Sequence, residues 1–303
     1  MRVLITGATG TIGLAVADAL SARGDSVVAL SRDPERGQRV LGEGVEVHPW
    51  AEPETTPPPA EALAGADAVV NLLGEPVAQR WSESAKTRIR ESRVHSTRML
   101  VGALTAVPPD VRPRALISQS ATGYYGPRGD APLDENASPG DDFLAGVTQA
   151  WEGEAAGAGP SPRVVCTRTG VVLSPSGGAL AKMLPPFRLG LGGRLGSGRQ
   201  WMSWIHAADL AALFRHLLGS PVAGPVNGVA PAPVTNAEFT RALAGAVHRP
   251  AIFPVPEAAL RLLFGDMADV LLASQRVLPQ AAEAGGFRFQ FPRLEPALAD
   301  LLK

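Results

Sequence analysis

Gly7, Gly10 and Gly13 stand near the start of the chain at a spacing suited to holding an anion. They lie in Thr6-Gly7-Ala8-Thr9-Gly10-Thr11-Ile12-Gly13, after the apolar run Val3-Leu4-Ile5. Leu14 to Leu20 follow with apolar residues at helical spacing. Strand, glycine turn and helix, in that order, are the setting in which such a fingerprint signals a dinucleotide. Gly7 would make the tight turn, Gly10 would let main-chain amides approach a pyrophosphate, and Gly13 would let the helix pack closely on the sheet. The free N–H groups of the helix start, among Thr9, Thr11 and Ile12, would then face the anion. The spacing is G-x-x-G-x-x-G rather than G-x-G-x-x-G.

One strand later the sequence selects between two dinucleotides. Ser26 to Leu30 reads as a second strand ending in Ser31-Arg32-Asp33. An acidic residue there would hold the ribose 2′-hydroxyl of NAD. The Ser31 hydroxyl and the forked guanidinium of Arg32 instead suit the 2′-phosphate of NADP, so NADP(H) is the predicted cofactor. Asp33 either pairs with Arg32 or belongs to the Asp33-Pro34 turn.

Residues able to move a proton gather further along. Arg114 to Ser118 reads as a strand feeding Gln119-Ser120-Ala121-Thr122-Gly123-Tyr124-Tyr125-Gly126, a hydroxyl-rich turn at a strand's carboxyl end. Ser120, Tyr124 and Lys182 are the candidate catalytic groups. His206 sits at an element boundary, where a structural role outweighs a catalytic one. Cys166, in Val164-Val165-Cys166, reads as a buried, inert thiol, and a lone cysteine forms no internal disulfide. No metal site is expected.

The elements that position these residues follow a βα rhythm. Val45 to Trp50 resembles a third strand, with Trp50 either stacking on an adenine or joining the core. Glu52 to Ala60 is a stiff proline-rich loop. Ala66 to Glu75 gives a fourth strand, placing Leu72, Leu73 and Gly74 toward the cofactor, while Asn71 fastens neighbouring loops. A helix from about Ser82 to Thr105 carries Arg88 and Arg93, either of which could approach the phosphates. Phe143 to Ala156 reads as a helix and Arg163 to Arg168 as the sixth strand. It leads to Val172, which suits the nicotinamide end. Beyond residue 175 glycine and proline interrupt short apolar pieces, and Asp209 is placed to cap a helix running to Leu218. The predicted class is α/β, a doubly wound parallel sheet of the Rossmann type with a smaller C-terminal α/β substrate-side lobe. Residues 1–175, with part of 200–230, form the nucleotide-binding domain, and 176–303 form the lobe.

At 303 residues the chain can bury a large core, and 45% hydrophobic with 19% charged residues excludes general disorder. A net charge of −1 without a basic block argues against nucleic acid or an anionic membrane as partner. No apolar run reaches about 18 residues, and the first strand leaves no room for a signal peptide, so a cytoplasmic location is expected. The long helix from Ser82 could pair with a twin in a homodimer.

Thr6 to Gly13, Ser120-Ala121-Thr122 and Trp204-Ile205-His206-Ala207-Ala208-Asp209 together resemble the extended short-chain dehydrogenase/reductases of the nucleotide-sugar epimerase group. Asn71 to Glu75, Ser118 to Gly126, Arg168 to Leu173, Met183 to Gly193 and Gly196 to Gln200 are similar to an atypical branch, the epimerase family proteins. This branch of the NAD-dependent epimerase/dehydratase family carries a C-terminal domain of unknown function, to which residues 250–303 are similar. The resemblance implies NADP(H) binding, with Ser31 and Arg32 at the 2′-phosphate and Leu72, Arg93 and Val172 near the cofactor. Family members use a Tyr-x-x-x-Lys pair on one helix face, in which the lysine lowers a phenol pKa of about 10. No such pair exists in this chain, and at the expected distance beyond Ser120 stand Phe143 and Val147. Ser120 matches the family serine. The predicted function is therefore an NADP(H)-dependent oxidoreductase with a rearranged site, acting on a small molecule whose identity the sequence does not encode. An NADP(H)-binding protein without turnover is the alternative, and a sugar-nucleotide epimerase, which needs the same pair, ranks third.

Overall fold

In the computed structural model, which describes Met1–Lys303, β1 (Arg2–Thr6) is an interior strand of a parallel sheet. Its Val3, Leu4, Ile5 and Thr6 are all fully buried, because both faces of such a strand are covered. The other strands are β2 (Ser26–Ser31), β3 (Val45–Pro49), β4 (Ala68–Asn71), β5 (Ala115–Ala121), β6 (Arg163–Thr169) and β7 (Gly224–Gly228). All pair in parallel in the order β7-β6-β5-β4-β1-β2-β3. The order reverses between β1 and β4, which opens a crevice at their carboxyl ends, where ligands of such sheets sit.

Seven of the helices concern the site: α1 (Thr11–Ser21), α2 (Pro34–Leu41), α3 (Glu83–Ala106), α4 (Phe143–Ala156), α5 (Gly178–Arg188), α6 (Ala207–Gly219) and α7 (Asn236–Ala246). On one face of the sheet, Val16 and Leu20 of α1 and Phe214 of α6 pack with Val3, Ile5 and Ile117. Leu100 and Leu104 of α3 pack with Leu4, Val28 and Leu116 on the other. Asn71 ties the layers together: its Oδ1 accepts from Thr6 Oγ1 at 2.7 Å, and its Nδ2 donates to Thr97 Oγ1 at 2.9 Å and to Ser118 Oγ at 3.2 Å.

Of two sequence readings, one is decided here and the other changes. Trp50 is core rather than a shelf for a base: it packs with Leu30 and Leu63, and its indole N–H donates to the Thr56 carbonyl. Asp209 does not cap α6. That place is taken by His206, whose Nδ1 accepts from Ala208 N at 3.0 Å, while the Asp209 carboxylate accepts from Gln290 N and Phe291 N, each at 2.8 Å. His206 also stacks on Phe291, and burial pushes its imidazole down against the pull of Asp209 and Asp300.

The C-terminal part is stitched to the sheet domain rather than hung from it. Arg276–Val277 pairs in parallel with Pro132–Leu133, and Ser203 Oγ donates to Gln275 O while accepting from Val277 N. Leu180, Leu184, Trp204, Phe239 and Leu298 form a further core beneath α5 and α7. No helix is long and apolar enough to cross a membrane.

Cys166 is buried in β6, and burial pushes its thiol up to about 12. A disulfide reagent at pH 8 is therefore expected to leave the native protein unlabelled and to label one thiol per chain in denaturant. Fast labelling of the native protein would contradict the burial.

Candidate functional site: a glycine-walled cleft beside a buried ion pair

The first turn of α1 is shaped by what its glycines lack. Gly7 has φ +66°, and a Cβ there would stand 2.8 Å from the Leu72 carbonyl oxygen. At Gly13 a Cβ would lie 2.3 Å from the Gly7 carbonyl oxygen, so only glycine lets α1 sit this close to the end of β1. Gly10 differs: a Cβ there would meet only Gly7 O, at 3.3 Å, and its remaining surroundings are open. As N-cap of α1 it offers no side chain, so no side chain caps the helix's first amides.

These residues open on a cleft of about 380 Å³. Gly7, Gly10, Thr11 and Ile12 form one wall, and Leu72, Val172 and the start of α5 at Gly178 form the other. Thr9 is exposed on the same turn. Thr6 Oγ1 fixes the opposite rim by accepting from Leu72 N at 3.1 Å and Leu73 N at 3.3 Å. Behind that rim Arg93 packs its guanidinium on Gly74, where a Cβ would be 2.9 Å from Cζ. Arg93 donates to Ile89 O and faces the Trp151 ring at 5.3 Å. Burial lowers its pKa to about 10, against the pull of Glu75. Arg88 is more exposed, with Nε 3.9 Å from Glu75 Oε1.

At the end of β2, Ser31 Oγ donates to Asp33 O at 2.8 Å. Asp33 spends its carboxylate on Arg36 N at 3.0 Å as the N-cap of α2, so the turn reading holds and the pairing with Arg32 does not. Arg32 is exposed and makes no ion pair. It is free to grip an anion.

At the carboxyl ends of β5 and β6 lies a network that the sequence did not announce. Arg168, only 4% exposed, places Nε and Nη2 on the two oxygens of Glu152, each at 2.8 Å. Ser120, fully buried, donates Oγ–H to Glu152 Oε1 at 2.6 Å. Arg168 Nη1 also donates to Tyr125 Oη at 3.2 Å, and Tyr125 donates to Asn227 Oδ1 at 2.7 Å. Burial works against the charge on Arg168, but the hydrogen bonds to Glu152 outweigh it and hold the guanidinium above its usual value. The Tyr125 phenol goes up to about 12, because burial dominates over Arg168.

The three candidate catalytic residues are not joined to one another. Ser120 is committed to Glu152, and exposed Lys182, on α5, donates Nζ–H to Ala78 O at 2.6 Å. Tyr124 is half-buried, with its ring centroid 3.4 Å from Arg168 Cζ, and its hydroxyl has no protein partner. Phe143 meets Trp81 edge-on at 5.2 Å and Val147 is buried, so α4 presents no proton carrier at either position. Glu152 and Arg168 were overlooked because each was read as part of its element. The available signal was a charge between Thr167 and Thr169 at the end of an apolar strand, which demands a buried partner.

Comparison with known proteins agrees with this architecture. Residues 3–230 match the NAD dependent epimerase/dehydratase family, and residues 255–301 match a domain of unknown function, DUF1731. The epimerase family protein MT2273 of Mycobacterium tuberculosis is 44% identical over 300 residues, covering 98% of this chain and 96% of its own. A chloroplastic SDR39U1 homolog of Arabidopsis thaliana is 38% identical over 308 residues, covering 100% and 87%. The crystal structure of human epimerase family protein SDR39U1 with NADPH superimposes with a TM-score of 0.89 at 39% identity, covering 100% of this chain and 99% of that one. The chain belongs to the NAD-dependent epimerase/dehydratase family, in the form that carries the DUF1731 segment at its C-terminal end.

Proposed function

We propose that this chain binds NADP(H) across the β1–β4 crevice and uses it to reduce a small-molecule carbonyl or oxidise the corresponding alcohol. The observation that carries the cofactor assignment is the uncapped first turn of α1, whose glycines leave a cleft where side chains would stand. In this reading the α1 amides at Thr11 and Ile12 hold the pyrophosphate, while the Gly10 N–H, spent on the Gly7 carbonyl, keeps the turn tight. Ser31 and Arg32 hold the 2′-phosphate, and Leu72, Leu73, Gly74, Arg93 and Val172 flank the rest. The NADPH in the human relative supports the same assignment. When bound, the cofactor supplies or accepts hydride, and the protein must supply orientation and a proton.

Among the candidate groups, Tyr124 is the one free to move that proton. The Ser120 proton is held by a carboxylate, Lys182 is turned to a carbonyl, and the Tyr125 phenol is pushed up to about 12. Tyr124 is half-buried with an unengaged hydroxyl beside the cationic face of Arg168.

Fluorescence titration is expected to show NADPH binding more tightly than NADH. Arg32→Ala should weaken NADPH by about tenfold or more, through loss of a charge-assisted phosphate contact, and leave NADH unchanged. Equal affinities for both cofactors would overturn the assignment. In an assay of NADPH oxidation against aldehydes, ketones and enones, Tyr124→Phe should lower kcat by about 100-fold at unchanged NADPH affinity. A second reading, an NADP(H)-binding protein without turnover, is favoured by Phe143 and Val147 on α4. Tight NADPH binding with no oxidation across that panel would select it.

A further inference from the structure

A second cavity, of about 330 Å³, lies in the C-terminal half and shares no lining residue with the cofactor cleft. One wall is a stripe of α7, Ala237, Thr240, Arg241 and Ala244, at the i, i+3, i+4, i+7 spacing of a single helix face. The other is the segment from Arg249 to Pro254, with Arg194 closing the end. Arg194, Arg241 and Arg249 are among its lining residues, and no Asp or Glu is.

The ion-paired arginines of this protein are Arg2, Arg23, Arg88, Arg98, Arg168 and Arg261, and none of the three is among them. Backbone carbonyls tether two of them without neutralising them. Arg194 donates to Gly196 O and Ser197 O, and Arg249 donates to Arg188 O and His248 O. Arg241 makes no hydrogen bond, and the Glu238 carboxylate, within reach of its charge on the same helix, is itself spent on Thr235. Beside Arg241, buried Thr240 adds a hydroxyl with no hydrogen-bond partner. The walls are also fixed. Val255 N donates to Arg194 O and Gly196 N donates to Val255 O, while a Cβ at Gly193 would lie 1.6 Å from the Phe253 carbonyl oxygen. Arginines gathered on the lining of one cavity without a carboxylate make it a place where an anion is favoured.

We infer that this cavity is a second ligand site, independent of the dinucleotide cleft, that takes a small soluble organic phosphate. Its phosphoryl oxygens pair with Arg194, Arg241 and Arg249, and Thr240 donates to one of them. The planar forks suit phosphate geometry, and the volume suits a small metabolite rather than a bare ion. Ile252, 71% exposed at the rim, offers apolar contact to the organic part.

Calorimetric titration with pyrophosphate tests the site on the full chain. An Arg32→Ala background removes one cation of the dinucleotide cleft, and saturating NADPH competes with the probe there. A binding class is expected that persists in Arg32→Ala and with NADPH present, and that weakens about tenfold or more in Arg241→Gln/Arg249→Gln. All these arginines are exposed, and an unchanged melting temperature would show that the double variant is folded. Superimposable titrations of the double variant and its parent would overturn the proposal. So would a pyrophosphate class displaced entirely by NADPH, since the probe would then occupy only the first cleft. Should NADPH itself fail to bind, the double variant must still lose the pyrophosphate class, so the two assignments fail separately. Co-sedimentation with phosphatidic acid vesicles, without affinity for pyrophosphate, would replace the soluble ligand with a lipid headgroup and also overturn the assignment.

Discussion

Glu152→Ala is expected to cost about 3–5 kcal/mol of stability, the usual consequence of removing one partner from a buried pair. The substitution strips Arg168 of both its carboxylate bonds while leaving the guanidinium enclosed, and it removes the acceptor of Ser120. Arg168 spans β6, Tyr125 and the Glu135 carbonyl, so its release loosens the carboxyl ends of several strands together. Urea unfolding should register the loss, and thermal melting should fall by on the order of 10 °C. Replacing both partners by apolar residues, as in Glu152→Leu/Arg168→Met, should recover much of it, because neither charge is then stranded. A change below about 1 kcal/mol in Glu152→Ala would mean that water reaches the pair.

Gly10→Ala should separate binding from folding more sharply than any other change in the first turn. A methyl there needs a shift of only a few tenths of an ångström from Gly7 O and meets nothing else, so stability is expected to stay within about 1 kcal/mol. The same methyl projects toward the path by which main-chain amides approach a pyrophosphate, and NADPH affinity is expected to fall by about 100-fold or more. Gly13→Ala makes the control. Its methyl would collide with the backbone of Gly7 and Ala8, so it should lose stability and binding together. NADPH affinity unchanged in Gly10→Ala would place the cofactor elsewhere.

Much of the architecture was readable because parallel sheets write themselves plainly. Val3-Leu4-Ile5 and Val69-Val70 are apolar on both faces, and a glycine turn leaves the carboxyl end of each buried strand near the crevice. The cofactor wall was legible for a related reason: Gly7, Gly10 and Gly13 encode close backbone approach, a local property. The substrate side was opaque because its chemistry is non-local. Ser120 and Glu152 come from a strand end and a helix 32 residues apart, and Arg168 from another strand. No spacing rule joins them. Asp209 misled for the same reason, since its short-range reading as a cap lost to two amides more than 80 residues away. Trp50, read as either a base contact or core, was decided by its neighbours Leu30 and Leu63.

The Asp209 carboxylate, 2% exposed, belongs to the part matching the dehydratase family, whereas the amides of Gln290 and Phe291 that it receives belong to the DUF1731 match. Deleting the last 50 residues or so would therefore strip this carboxylate of both its amide partners, in addition to laying bare the surface they cover. The two matched segments are thus joined through a carboxylate of one and main-chain amides of the other.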